Sequence, residues 1–337
     1  MIRSELKKLC VSFDDNYLFP FLLLAYSISQ NSLILPKIFI ANVNSTLSQE
    51  SQNLVNRFCS SLGLEIEILE AIIPKNVRTS SRVSIAGYGR LWLADNLSED
   101  FVYVDTDSLV LPGWEVIFDY IELLSQNREL LLAAMPALKN MTPPWPIKAG
   151  DKTQYRFHSS ILVINSRNWK DHFAKRENMP WQKIASMHDE LKFVGHDQPV
   201  LQYAAQGKYL HLPEDFVNFA TIRTSNTKIV TSGVWKKPWT VPRGQLFKYI
   251  NSLMMYQEYS QVFGVVKELD IYLSYEDQMF EYLAQDRRFL SEIQSIRSRS
   301  EIRLGAKIGI PFLASRIVYN TFTKLRKGLN LFSRREL

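Results

Sequence analysis

The sequence predicts an α/β protein: a mainly parallel sheet flanked by helices, followed by a helical extension that ends in a basic tail. Three observations carry this expectation. Apolar runs of strand length alternate with segments of helical spacing through the first hundred residues. The chain has 337 residues, 46% of them hydrophobic and 12% aromatic, which supplies a large core and excludes disorder as its main state. The excess positive charge, finally, is gathered at one end.

Lys8–Phe13 reads as the first strand and Tyr17–Gln30 as the apolar helix after it. Lys37–Asn42, bounded by Pro36 and Asn44-Ser45, reads as a second short strand. Leu47–Ser61 has helical spacing, with Gly63 as its stop. Leu64–Ile68 alternates as a third strand should. Arg82–Leu97 reads as a helix despite Gly87 and Gly89, and Phe101–Val104 as the fourth strand. Leu130–Met135 and Phe157–Asn165 are two further strands, separated by the proline-rich loop Thr142–Gly150 with Trp145 near its tip. Pro199–Gln206 is the next helix, and Asp197 could serve as its N-cap. Parallel sheets of this kind bind ligands outside the carboxyl ends of their strands. No Gly-rich phosphate loop follows the first strand, so a dinucleotide fingerprint is not what does the binding.

The net charge is +6. From Glu301 to Leu337 eight cations face two acids, so this stretch accounts for all of it and the body is neutral. Pro311 can open a helix there, and Phe312, Leu313, Ile317, Val318, Phe322, Leu325 and Leu329 recur at helical spacing. Such a basic amphipathic helix, over residues 304–337, suits an anionic membrane surface, where each cation contributes on the order of 1 kcal/mol. Packing of the apolar stripe on the body is the alternative. Nucleic acid is not expected as a partner, because no recognition motif accompanies the charge. Two cysteines, Cys10 and Cys59, exclude a disulfide scaffold and a cysteine-rich zinc site. The run Leu18–Ile28 is too short to span a bilayer, and Asp14 and Asp15 interrupt any signal-peptide pattern. The expected location is cytoplasmic, peripheral to the cytoplasmic face of a membrane.

The segment Phe101–Leu111 holds Asp105 and Asp107 between two apolar runs, where a lone carboxylate would be costly to bury. In extended backbone the two side chains would share one side and form a hard oxygen site for Mg²⁺ or Mn²⁺. A polar turn between two strands, capped by aspartates, accounts for the same triplet.

Further motifs stand in order along the chain. They are Val11-Ser12-Phe13-Asp14-Asp15-Asn16-Tyr17, Tyr88-Gly89-Arg90-Leu91, the Asp105-Thr106-Asp107 triplet, and Phe157-His158-Ser159-Ser160 running to Asn165. His196-Asp197-Gln198-Pro199, Leu212–Phe219 and Gly233-Val234-Trp235-Lys236-Lys237-Pro238-Trp239 follow. In this order and spacing, over about residues 8–240, the chain resembles glycosyltransferase family 8, the family of glycogenin and of bacterial lipopolysaccharide galactosyl- and glucosyltransferases.

The resemblance implies a GT-A catalytic domain over residues 1–245, with 246–337 as the helical extension. It implies transfer of a hexose from a UDP-sugar donor to a glycan or glycolipid acceptor, with retention and with Mn²⁺ or Mg²⁺. Asp14, Asn16 and Tyr17 would lie at the nucleoside end of the donor, and Asp105 and Asp107 would hold the metal. Tyr88, Thr106, His158 and Gly233 would line the donor site. Arg90 would contact sugar and diphosphate, Asp197 would bind sugar hydroxyls, and Gln198 would orient and stabilise on the sugar's face rather than attack. Lys237 would neutralise the leaving diphosphate. The family's third metal ligand, a histidine, is missing: counting from either side puts Val230 or Thr231 in its place, and neither matches its strength as a ligand. His158 could supply the nitrogen instead, or be a packed strand histidine. A non-catalytic nucleotide-sugar-binding protein and a nucleotidyltransferase are the competing readings.

Overall fold

A computed structural model describes residues 7–79, 84–136, 156–175, 177–214, 216–218 and 226–231. The chain divides into two compact units, and all of these residues belong to the first, residues 1–218 with 224–231. The basic tail, the loop around Trp145 and the motif containing Gly233 and Lys237 lie outside the described residues.

Ten strands and seven helices are described: β1 Lys8–Ser12, α1 Leu18–Asn31, β2 Lys37–Val43, α2 Gln49–Ser61, β3 Ile66–Ala71, α3 Gly89–Asn96, β4 Phe101–Val104, β5 Ser108–Val110, α4 Asp119–Ser125, β6 Leu132–Pro136, β7 Phe157–Ile164, α5 Ser166–Phe173, α6 Trp181–Ser186, α7 Asp197–Ala205, β8 Tyr209–His211, β9 Val217–Asn218 and β10 Ile229–Thr231. Seven strands form one sheet in the order β3-β2-β1-β4-β7-β6-β8. Only β7 runs against the rest, antiparallel to both β4 and β6. The remaining neighbours pair in parallel, as the alternation of strands and helices predicts.

The central strands are buried on both faces. Leu9, Cys10, Val11 and all four residues of β4 are fully buried, which is why these segments read as continuous apolar runs. Both thiols are buried and free, and burial pushes the Cys59 thiol up to about 12. Helices α3, α5 and α6 are tied together by Asp95, whose carboxylate accepts from Trp169 Nε1 at 2.7 Å, Trp181 Nε1 at 2.6 Å and Gln182 Nε2 at 3.0 Å. No described helix is long and apolar enough to cross a membrane.

Three expectations are corrected. The third strand runs Ile66–Ala71 rather than Leu64–Ile68, because Leu64 is held in the turn that closes α2, its amide bonded to the Cys59 carbonyl. The segment Arg82–Leu97 is not one helix: a 3₁₀ turn, Ile85–Tyr88, precedes α3, which begins at Gly89. A Cβ at Gly89 would lie 2.3 Å from Ser12 Oγ and 3.1 Å from Val43, so the chain here runs hard against the end of the sheet. Asp197 is inside the first turn of α7 rather than capping it; His196 holds the cap position.

Candidate active site

The order of strands reverses between β1 and β4, and the carboxyl ends of such neighbours frame a crevice. Asp14 follows β1, and Asp105 follows β4. Asp14 is buried and accepts from the Asn16 amide at 3.0 Å, capping the 3₁₀ turn Asp15–Tyr17. Asp15 faces outward and holds Ser48, at the start of α2, through its amide at 3.0 Å and its hydroxyl at 3.2 Å. Tyr17 stands between the two acidic positions: burial first, then the charges of Asp105 and Asp14, push its phenol up to about 12.

Asp105 and Asp107 are not in extended backbone. The Ser108 amide bonds the Asp105 carbonyl at 3.1 Å, so the triplet is a tight turn from which β5 departs into a second sheet. The polar turn and the acidic site are therefore one structure. Thr106 is buried within that turn.

Arg90, at the start of α3, joins the parts. Its side chain is 6% exposed. Nη2 donates to Asp105 Oδ1 at 2.7 Å, Nε donates to the Gly87 carbonyl at 2.9 Å, and Nη1 donates to the Ser159 carbonyl on β7. Asp197 Oδ2 pairs with Nε at 3.1 Å as an ion pair, because the Nε hydrogen is already directed at Gly87. The guanidinium carbon lies 4.7 Å from the Tyr103 ring centroid. Burial acts to lower the affinity of Arg90 for its proton, but Asp105 and Asp197 outweigh it and hold it above its ordinary value. A buried charge is tolerable here because two opposite charges and two carbonyls surround it.

Gln198, next to Asp197, accepts through Oε1 from the Ser159 amide at 3.4 Å and the Ser159 hydroxyl at 3.3 Å. A backbone amide can only donate, so the oxygen of the Gln198 amide is the end held by β7. Ser159 thus braces both Arg90 and Gln198. In the sequence Ser159 is one residue of the Phe157–Ser160 motif, and only its position on β7 reveals the role.

Val230 and Thr231, the two candidates for the missing histidine's place, both lie on β10. β10 pairs antiparallel with β5, setting Thr231 opposite Ser108 and Val230 opposite Leu109. The Thr231 hydroxyl donates to Asp107 Oδ1 at 3.5 Å, while Val230 is fully buried. Among the described residues no group of three His, Cys, Asp or Glu side chains gathers. His158 is buried on β7, and desolvation lowers its imidazole to about 4, leaving it neutral. Two carboxylates and a neighbouring hydroxyl are an all-oxygen set. Such a set fits a hard divalent cation.

Of the remaining expected residues, Tyr88 is fully buried beneath the site, its hydroxyl donating to the Arg78 carbonyl at 3.1 Å and its ring stacked 6.4 Å from Trp181. Asn16 is exposed at the crevice end of β1.

A switch point framed by carboxylates at adjacent strand ends, with an antiparallel β7 supplying the far wall, defines a GT-A glycosyltransferase. The chain belongs to glycosyl transferase family 8, whose profile matches residues 8–238. Among solved structures it is similar to the galactosyltransferase LgtC in complex with donor and acceptor sugar analogs, at 17% identity and TM-score 0.55, covering 81% of this chain and 99% of that one. The apo form of the bifunctional WbbM matches at 15% identity and TM-score 0.52, over 76% of this chain and 50% of that one. GlyE of Streptococcus pneumoniae TIGR4 matches at 14% identity and TM-score 0.51, over 79% and 64%. At these identities the structural likeness speaks for the fold. No curated protein matches the chain in sequence.

Proposed function

We propose that this glycosyltransferase moves a hexose from a UDP-sugar to a glycan or lipid-linked acceptor such as lipopolysaccharide core, with retention of configuration. The observation that carries the reading is Arg90, buried between Asp105 and Asp197 at the carboxyl end of the switch point. This arrangement joins the acidic turn on the diphosphate side to the α7 residues on the sugar side. LgtC, which shares the fold, is a galactosyltransferase whose structure holds donor and acceptor sugar analogs.

A divalent cation held by Asp105 and Asp107 would supply positive charge to the departing diphosphate. The all-oxygen set favours Mg²⁺ over a nitrogen-preferring ion. Arg90 holds Asp105 and Asp197 at fixed positions, so neither carboxylate has to reorganise as charge develops on the leaving group. Gln198, its oxygen engaged by Ser159, presents N–H groups and is poorly placed to attack as a nucleophile. Retention then proceeds by attack from the face the UDP leaves, with a departing phosphate oxygen taking the acceptor's proton. The basic tail would bring the enzyme to the cytoplasmic face of a membrane, where lipid-linked acceptors lie.

The test is UDP release from a panel of UDP-sugars with Mg²⁺, with Mn²⁺ and with EDTA. Metal-dependent release from one sugar supports the reading and names the donor. UDP binding without release from any sugar overturns it in favour of a non-catalytic binder. The observation that favours that second reading is Val230 or Thr231 standing where the family places a histidine. Truncation after Arg303 should free the protein from anionic vesicles with donor hydrolysis intact, and unchanged vesicle binding refutes the membrane role.

A further inference from the structure

The loop that delivers Asp197 and Gln198 is held by a residue outside every motif. His188 is buried, and its Nε2 lies 2.8 Å from the Gly195 carbonyl. Its Nδ1 lies 3.3 Å from Arg78 Nη1, with Asp189 Oδ1 3.7 Å from the same nitrogen and 3.2 Å from the guanidinium. A guanidinium has only donors, so Nδ1 accepts from Arg78 and the proton sits on Nε2, aimed at Gly195. The chain between the two winds around the ring: the Phe193 amide bonds the His188 carbonyl at 3.1 Å, and the Phe193 ring meets the imidazole edge-on at 5.4 Å. Phe193 in turn packs on Tyr203 of α7, 5.6 Å away.

The grip falls on a turn that needs one. Gly195 has φ +115°, a conformation that L side chains rarely adopt. His196 follows with φ −130° and ψ −99° and makes no side-chain cap to α7. The entry to α7 is thus an unusual backbone path without the cap that commonly fixes a helix start. The next two residues are those that meet Arg90 and Ser159.

We propose that His188 is a positioning residue for the transfer reaction. Through the Gly195 carbonyl it fixes the turn that sets Asp197 and Gln198, and Arg78 fixes the tautomer that lets it do so. The catalytic consequence rests on the transferase reading above; the clamp itself does not.

The experiment compares His188→Leu, His188→Gln and Arg78→Gln with the wild-type chain. Glutamine can place an N–H where Nε2–H now stands, and leucine cannot. Amide hydrogen exchange over residues 193–201 reads the clamp directly. His188→Leu should open these amides about fivefold faster, the equivalent of one net hydrogen bond, and His188→Gln should restore most of the protection. Arg78→Gln, at a half-exposed position where folding is not at stake, should open the same amides to a smaller degree. In UDP release, kcat of His188→Leu should fall while the calorimetric affinity for UDP alone is unchanged, because UDP lacks the sugar that Asp197 and Gln198 would meet. Wild-type exchange in both His188→Leu and Arg78→Gln overturns the proposal, as does failure of glutamine to rescue. Parallel loss of UDP affinity and kcat overturns it too, by showing general damage. A wild-type chain that releases no UDP sinks the transferase reading, and the exchange data still decide the clamp.

Discussion

Arg90 and Asp105 are 15 residues apart in the chain and 2.7 Å apart in space, one from the start of a helix and the other from the end of a strand. Breaking this buried contact from the cationic side strands two carboxylates. Arg90→Met should therefore cost about 3–5 kcal/mol in urea unfolding and abolish UDP release. Arg90→Lys keeps the charge but cannot hold the same set of partners, so it should recover part of the stability and little of the turnover.

Asp107 and Thr231 make the metal question testable by substitution. Asp107→Asn should raise the cation concentration needed for half-maximal UDP release, with UDP binding in EDTA unaffected. Thr231→His adds the nitrogen the site lacks and should shift preference towards Mn²⁺, read as tighter Mn²⁺ binding by electron paramagnetic resonance. An unchanged Mn²⁺ titration would show that Thr231 does not face the cation.

Gly89 tests how far the site depends on a close approach of backbone to sheet. Gly89→Ala sets a methyl against Ser12 Oγ, whose own hydrogen bond to the Ala86 carbonyl leaves it little freedom. The overpacking should cost about 1–3 kcal/mol. Because Arg90 is the next residue, kcat should fall more than the loss of stability explains, in thermal melts and UDP-release assays run side by side.

Asp95 predicts a purely structural loss. Asp95→Ala leaves two tryptophan N–H groups of buried side chains without their acceptor and should destabilise by about 3 kcal/mol. In variants rescued by low temperature, donor turnover per folded molecule should be close to wild type.

His158 predicts an acid limb. Desolvation holds its imidazole at about 4, below the ordinary 6.5, so the unfolded chain binds the proton first as pH falls. The native state thus loses stability from about pH 6.5 down to about pH 4, by at most about 1.4 kcal/mol per pH unit from this residue. His158→Gln should flatten that limb in urea titrations at pH 7 and pH 5. An equal pH dependence in both proteins would show that the histidine is not buried as described.

Much of this was legible in the sequence, and the failures have physical causes. β1, β2, β4 and β7 read correctly because strands buried on both faces are continuous apolar runs. β9 and β10 were invisible: at two or three residues each they carry no period, and they exist through pairing with one another and with β5. That pairing is also what brings the Thr231 hydroxyl to Asp107, a contact no counting of residues could reveal. The expected extended backbone at Asp105–Asp107 failed because the chain must leave one sheet for another there, and a turn is how it does so. Helix α3 was read too long because Gly89 marks contact with Ser12, a relation between residues 77 positions apart.

The partners of Arg90 also set an order of events. Gly87 and Asp105 lie within 15 residues of it, but Ser159 and Asp197 lie 69 and 107 residues further on. Contacts so distant in sequence form late, after the loop-closure entropy has been met. During synthesis, the first four strands leave the ribosome with a guanidinium that has only half its counter-charge. The set of partners around Arg90 is complete only when α7 docks. Binding of UDP-sugar would then add stability only to chains that have completed that step, which makes ligand-dependent protease resistance a timer for the end of folding.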